Sequence, residues 1–384
     1  MEGRKSLRCS IVRGGTSKGI FIRENELPSD PEARDEVIRA VFGSPDTRQI
    51  DGLGGADVLT SKLAIIGPSS RKDADVDYTF AQVSFDTDKV DYSGNCGNIS
   101  SAVGPYAIDE GMVRADGPLA KVRIHMKNTG KILTAYVPTE EGRAICAGDF
   151  RIDGVPGTGA KITLDWSDTA GGLTGKLLPT GNVRDVIRAE GRSYEVTLID
   201  AGNPVVFIKA EALDMKGTES PYEIEHNASL MRLIEKIRGE AAVRFGLCGR
   251  PEEAAAKSPY NPFFSIVSEP AGYVAVNGEK VGKEEIDVTA RLLFMLKMHK
   301  AYPITGTVAT AAALRIPGSV VYDVLKEEAK DRAQVYIGHP SGRIPVESEV
   351  DVDTDRIELK KAGVYRTARR IMDGIVYLPE RQYR

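Results

Sequence analysis

Residues 12–27, VRGGTSKGIFIRENEL, have a counterpart 186 positions further along, where Phe21-Ile22-Arg23 with Leu27 becomes Phe207-Ile208-Lys209 with Leu213. Each apolar run follows a loop containing Gly or Asn, RGGTSKG in the first copy and DAGNP in the second. Further on, Ser93-Gly94-Asn95-Cys96 is matched by Thr305-Gly306-Thr307-Val308, each opening a helix of small residues. Matches in the same order point to a duplicated unit. The 384 residues agree, because single hydrophobic cores rarely grow beyond ~250–300 residues.

Secondary structure fills in this plan. SIVRGG, GIFIRE, KLAIIG, DYTFAQVSF, KVRIHMK and KILTAYVP read as strands bounded by Gly, Pro, Asp or Ser. A helix is predicted over Pro31–Phe42, with Pro early and acidic residues in its first turn, and a second after SGNCGN. In the second half YEVTLIDAG, VVFIKAEAL, SIVSEP, GYVAV, VYIGHPSGRIPVESEV and VYRTARRIMDGIVYL read as strands. HNASLMRLIEKIRGEAAVRFG, VTARLLFMLKMHKAY and TGTVATAAALRI read as helices. Strands and helices interleave in both halves, so the class is mixed α and β. The loop DWSDTAGGLTGKLLPTGN, Asp165 to Asn182, carries the boundary, giving domains of residues 1–182 and 183–384, with a return of the last strand, around Tyr365 to Leu378, to the first domain left open. Two similar domains would frame a cleft, the usual place for a ligand.

Composition removes several functions. Positive side chains number 51 and negative ones 55, a net charge of -4, which offers no bulk attraction to nucleic acid or anionic lipid. No run approaches the ~18 apolar residues of a membrane span, and MEGRKSLRCSIVRGG lacks the apolar core of a secretory signal, so the cytoplasm is expected. The four cysteines and four histidines are dispersed, without CxxC or HExxH, so no metal is signalled. No GxSxG elbow and no GxGxxG fingerprint after a strand appears.

The chemistry-bearing stretches are glycine-framed. In SGNCGN (Ser93–Asn98) glycines flank Cys96 just before a helix, whose positive dipole end favours a thiolate and whose N–H groups suit a carboxylate. Asn95, Gly97 and Asn98 are the carboxylate candidates there; the alternative is a tight turn around an inert thiol. In DGLGGADVLTSKLAIIG, Lys62 precedes an apolar strand, where lost solvation favours a neutral amine able to act as a base. The alternative is a strand-end lysine reaching solvent. RGGTSKG and GVPGTGAK both miss the Walker pattern, which excludes nucleotide hydrolysis on that motif. The first still offers Thr16 and Ser17 as carboxylate donors, and GHPSGR offers His339 and Ser341 in a Gly/Pro-framed loop; a plain surface turn is the alternative for each. His299 reads as a packed helical residue, and Cys9, Cys146 and Cys248 as structural cysteines.

These segments together resemble the PrpF family of methylaconitate-type isomerases: VRGGTSKGIFI, DGLGGADVLTSKLAII, VDYSGNCGNISSAVGPYAIDEG, DAGNPVVF, KMHKAYPITGTVATAAA, GHPSGRIPV and YRTARRIMDG occur in order over nearly the whole chain. The resemblance implies an α+β fold of two diaminopimelate epimerase-like domains. Each would be a strongly curved, mostly antiparallel sheet around a central helix, with the active site in the interdomain cleft. It implies chemistry without metal, nucleotide or pyridoxal phosphate, on small di- or tricarboxylates. Lys62 of LTSKL and Cys96 of SGNCGN become the catalytic pair, and the position matching Cys96 in the second half is Val308. One substrate carboxylate is expected at Asn95, Gly97 and Asn98, the other at Thr305, Gly306 and Thr307. Within the family, 3-methylitaconate passing to 2,3-dimethylmaleate is the expected reaction, with 2-methylaconitate and 4-oxalomesaconate as alternatives. A non-catalytic carboxylate-binding protein is the reading from a different class. A homo-oligomer is compatible with the sequence, which leaves the oligomeric state open.

Overall fold

The computed structural model describes residues 5–92, 94–353 and 356–379; Ser93 of SGNCGN lies outside them. Contacts divide the chain into two units, Met1–Leu164 with Arg366–Arg384, and Asp165–Tyr365. In the first, β1 (Ser6–Gly14) and β2 (Ser17–Arg23) form an antiparallel hairpin. Next, β3 (Lys62–Pro68) joins β2 in parallel, and β4 (Val76–Val83) joins β3 antiparallel. Then β5 (Leu119–Met126) runs parallel to β4 and antiparallel to β6 (Lys131–Glu140). The closing strand Ala368–Tyr377 returns to pair antiparallel with β1.

Two helices take opposite faces of this sheet. The first, α1 (Pro31–Phe42), occupies the predicted span: Asp30 accepts from the Ala33 N–H, Pro31 fills the first position, and Gly43 ends it at φ 70°. Its Val37, Ile38, Val41 and Phe42 pack on Ile20, Ile22, Leu63, Ile65, Ala81 and Val83. Strand alternation sends Ser17, Gly19, Phe21, Lys62, Ala64, Phe80 and Gln82 to the other face. That face meets α2 (Gly97–Asp109), as the Phe21–Tyr106 ring contact at 5.2 Å records. Because α2 is built of small and apolar residues on all sides, it is stable only when surrounded. Apart from Asn98, Pro105 and Asp109, all its residues are buried. A Cβ on Gly104 would lie 2.9 Å from Val137 Cγ2, so the sheet approaches as closely as glycine permits.

The second unit repeats the plan. After β7 (Asp185–Ala189), the hairpin β8 (Arg192–Ala201) and β9 (Asn203–Lys209) is followed by β10 (Phe263–Ser268), parallel to β9. Antiparallel β11 (Val288–Phe294) comes next, with β12 (Lys297–Met298) folding back on it. Then β13 (Gln334–His339) runs parallel to β11, followed by antiparallel β14 (Gly342–Asp353) and β15 (Arg356–Arg366). On one face α3 (Ala228–Arg244) contributes Leu230, Ile234, Ile237 and Ala241 to a core with Val196, Leu198, Val206, Ile208, Phe264 and Ile266. The other helix, α4 (Ile304–Ala313), is buried throughout. The same alternation of parallel and antiparallel joins in both units supports the duplication read from the Phe-Ile-Arg and Phe-Ile-Lys runs.

Four expectations change. VTARLLFMLKMHKAY is a strand hairpin, not a helix; Met295 and Leu296 turn it at φ 52° and 55° without the glycine that normally marks such a turn. His299 therefore sits in the loop after β12, its Nδ1 accepting from the Ala301 N–H at 3.1 Å. Val308 is the fifth residue of α4, whereas Cys96 is the residue capping α2; the capping position of α4 is Pro303. The units part at the first residue of the DWSDTAGGLTGKLLPTGN loop rather than its last. That loop is bound into the second unit: Asp200 Oδ2 accepts from the Leu173 and Thr174 N–H groups at 2.9 and 2.6 Å, and Thr169 Oγ1 accepts from the Gly202 N–H at 3.0 Å. Among the described residues no helix is long and apolar enough to cross a membrane.

Candidate active site

Lys62 begins β3, paired with Gly19 on one side and Gln82 on the other, and is partly buried on the face toward α2. A Cβ on Gly19 would lie 2.9 Å from Lys62 O and 3.0 Å from Ile99 Cδ1, so glycine alone lets the lysine's strand reach the first turn of α2. The ammonium donates to Gln82 Oε1 at 3.2 Å and lies 5.4 Å from the centre of the Phe80 ring. Gln82 Nε2 donates to Ser61 O at 2.9 Å, which fixes the amide so that its oxygen meets the lysine.

The glycine-rich stretch before Lys62 is held from beneath. Buried Gln49 accepts at Oε1 from the Ala56 N–H (2.8 Å) and the Ser61 hydroxyl (2.6 Å), and donates from Nε2 to Ser44 Oγ at 2.9 Å. A Cβ on Gly54 would lie 2.2 Å from Gln49 Oε1, which explains the glycine. Gln49→Ala strands buried partners and is expected to lower unfolding free energy by about 2–3 kcal/mol. A urea midpoint that falls at unchanged slope would register it, and an unchanged midpoint would contradict it.

Cys96 caps α2 at φ -116° and ψ 101°, and no side chain caps the helix. A Ser, Asp or Asn there would occupy first-turn N–H groups; cysteine leaves them to a ligand. Ser100 donates from both its N–H and its hydroxyl to Cys96 O at 2.9 Å, which anchors the residue. Tyr78, two residues before Phe80 on β4, is fully buried; burial, then the charge of Cys96, holds its phenol well above the ordinary range. Among the described residues, Ser17 Oγ and Asn95 Oδ1 are buried atoms without a hydrogen-bond partner. An unsatisfied buried polar atom costs about 1–3 kcal/mol, which makes Ser17 Oγ, on the sheet face of Lys62, and Asn95 Oδ1, next to Cys96 in the chain, candidate ligand contacts.

Asn98 is tied into the first turn. Its Nδ2 donates to Thr16 Oγ1 at 3.0 Å, and its Oδ1 accepts from Arg366 Nε at 3.2 Å and from the Thr16 N–H at 3.4 Å. Asn95 Nδ2 donates to Thr129 Oγ1 at 3.2 Å. Thr16, Ser17, Lys62, Cys96, Gly97 and Asn98 thus lie around one sheet face and one helix start. Gln82, Phe80, Tyr78 and Arg366 join them without having been singled out in the sequence. Alternation in DYTFAQVSF would have put Tyr78, Phe80 and Gln82 on one face, had the register with Lys62 been known.

In the second unit the candidates divide. The Thr307 N–H and hydroxyl both donate to Pro303 O, at 2.8 and 3.1 Å, so they serve the helix itself. A Cβ on Gly306 would lie 2.6 Å from Leu292 Cδ1, so that glycine admits a close strand. Thr305 lies against Gly202 at the β8–β9 turn. His339 is buried, with Nδ1 accepting from the Ser341 N–H at 3.2 Å, and the Ser341 hydroxyl donates to Lys300 O. Cys9 is buried and its thiol pushed up to about 11, whereas Cys146 is exposed and is no core residue. Among the described residues no cluster of three His, Cys, Asp or Glu could hold a metal ion.

Comparison with known proteins completes the description. The PrpF protein family matches residues 4–379. The chain is 50% identical to 3-methylitaconate isomerase of Eubacterium barkeri over 98% of both chains. It is 42% identical to 4-oxalomesaconate tautomerase of Pseudomonas putida, over 97% of this chain and 96% of the other. A crystal structure of methylitaconate-delta-isomerase superposes with a TM-score of 0.90 at 50% identity, covering 99% of this chain and 97% of that one. The fold, at 14% identity, is also that of a hydroxyproline epimerase from Agrobacterium vitis, with a TM-score of 0.56 over 98% of this chain and 94% of that one.

Proposed function

The chain belongs to the PrpF family, and from that premise we propose that it is an isomerase moving a double bond in a small unsaturated dicarboxylate, converting 3-methylitaconate to 2,3-dimethylmaleate. The reading is supported by Lys62 standing on the sheet face toward α2 and Cys96 capping that helix, with Ser17 Oγ and Asn95 Oδ1 buried without partners among the described residues. Half-identity along nearly the full length to a 3-methylitaconate isomerase supports the choice of acid.

The reaction is a 1,3-proton shift. A base takes the proton from the carbon that bears a methyl group and a carboxylate. The electron pair moves through the allylic system, and a proton arrives at the terminal methylene, which becomes the second methyl. One C–H bond breaks, one forms, and nothing is oxidised. The difficulty is charge, since a carbanion develops on a molecule that already carries two carboxylates. Uncapped N–H groups of α2 would hold one carboxylate against its positive end. Lys62 and Cys96 would exchange the proton, one as base and the other as acid. Thr307 would serve its own helix, and His339 and Ser341 their own loop.

The 42% identity to a 4-oxalomesaconate tautomerase favours a second acid for the same chemistry. Separate incubations with 3-methylitaconate, 2-methylaconitate and 4-oxalomesaconate, followed by proton NMR, test the substrate. Turnover confined to 3-methylitaconate is the expected result. Preference for another acid would overturn the substrate, and turnover of none would favour a carboxylate-binding protein.

A further inference from the structure

We propose that Arg366 is a positioning residue: it sets the polarity of the Asn98 amide, so that the Thr16 hydroxyl hydrogen is turned toward a substrate carboxylate. Arg366 is buried, 6% exposed, at the junction of β15 and the closing strand, and a guanidinium has donors only. Its Nε meets the Asn98 side chain at 3.2 Å, so the atom facing it must accept. The Thr16 N–H, 3.4 Å from the same atom, imposes the same demand. A flipped amide would set an NH2 group against two N–H donors, so the carboxamide has one allowed orientation.

That orientation decides the next bond. With Oδ1 committed to Arg366 and to the Thr16 backbone, Nδ2 points at Thr16 Oγ1, 3.0 Å away, as a donor. Thr16 Oγ1 is therefore an acceptor in this pair, and its own hydrogen must be directed elsewhere. The turn that carries it is fixed: the Gly15 N–H donates to Thr367 O at 2.9 Å, and Arg13 Nη1 donates to Gly15 O and Thr367 O, both at 2.9 Å. Gly15 stands at φ 51°, and a Cβ there would lie 2.2 Å from Asn98 Oδ1, so the turn is held tightly against the amide. A hydroxyl obliged to donate, beside the uncapped start of α2, matches a carboxylate, which only accepts. Burial pulls the guanidinium down to about 9, which still leaves it charged at neutral pH, so its Nε stays a donor to Asn98.

The inference rests on the proposed function in one respect, that the ligand is a carboxylate. Its test uses methylsuccinate, a saturated dicarboxylate that cannot undergo the shift, titrated calorimetrically into the full-length protein. Arg366→Gln and Thr16→Val are each expected to weaken binding about tenfold, the size expected when a hydrogen bond to a charged group is lost. Because both act through the same hydroxyl, the double variant should bind no more weakly than the worse single one. Arg366→Lys, which keeps a charged donor, should recover part of the loss. In turnover assays the single variants should raise KM with kcat largely kept.

Should Arg366→Gln fail to unfold cooperatively, Asn98→Asp replaces it. The carboxylate keeps both acceptor roles but has no N–H, so the Thr16 hydroxyl turns inward and the same tenfold loss follows. Wild-type affinity in folded Arg366→Gln or Asn98→Asp, or multiplying losses in the double variant, would overturn the inference. If those results came with normal isomerisation by the unaltered protein, the proposed function would stand. If the unaltered protein neither bound methylsuccinate nor turned over any of the three acids, both would fall.

Discussion

Lys62→Ala is expected to lower turnover of 3-methylitaconate by ~10²–10⁴, the contribution of a positioned acid or base, while the protein stays folded. The fold should survive because Lys62 stands at the first residue of β3 and its side chain contributes one hydrogen bond, to Gln82. Ordering of the loop before it rests instead on Gln49 and Ser61. Lys62→Arg separates charge from proton transfer. A guanidinium keeps the positive charge but does not give up its proton near neutral pH. Loss comparable to that of Lys62→Ala assigns Lys62 to proton transfer; recovery to within about tenfold of the unaltered enzyme would reduce it to a fixed charge. Near-normal turnover by Lys62→Ala at an unchanged melting temperature would remove the residue from the mechanism.

Cys96→Ala is expected to cost a similar ~10²–10⁴ in turnover, with Cys96→Ser scarcely better. Serine matches the shape and would even cap α2, yet its hydroxyl ionises far less readily than a thiol. The serine variant should therefore be at least as stable as the original while failing to exchange protons. Stability kept while activity falls is the useful feature, because a cysteine kept only for packing would leave activity unchanged. Thermal unfolding and turnover measured on the same sample decide it. Full activity in Cys96→Ser would contradict the assignment.

Where local chemistry decides structure, the sequence was legible. α1 spans Pro31–Phe42 as its early Pro and acidic first turn lead one to expect, and the repeated Phe-Ile-Arg and Phe-Ile-Lys runs fall in β2 and β9. Buried strands are harder: VTARLLF is buried on both faces, the polar Thr289 and Arg291 included, and Met295-Leu296 turns the chain without Gly or Asn. Short motif matching also misplaced the cap of α4 by five residues, because Thr305-Gly306 looks like a helix start although Ile304 already lies within the helix. Of the candidates, Cys96, Thr16 and Asn98 could be picked out because glycines frame them, and Lys62 through the family resemblance of LTSKL. Gln82 and Arg366 could not, since their partners Lys62 and Asn98 lie 20 and 268 residues away and only the sheet register brings them near.

The central claim is that protein groups shuttle a proton between two carbons of an unsaturated dicarboxylate, and isotope placement tests it most directly. The purified protein would be incubated with 3-methylitaconate in D₂O and followed by proton NMR. If Lys62 and Cys96 exchange with solvent while they act, 2,3-dimethylmaleate should form with deuterium in the methyl group that was the methylene. Folded protein that yields neither product nor deuterium at either carbon would contradict the claim.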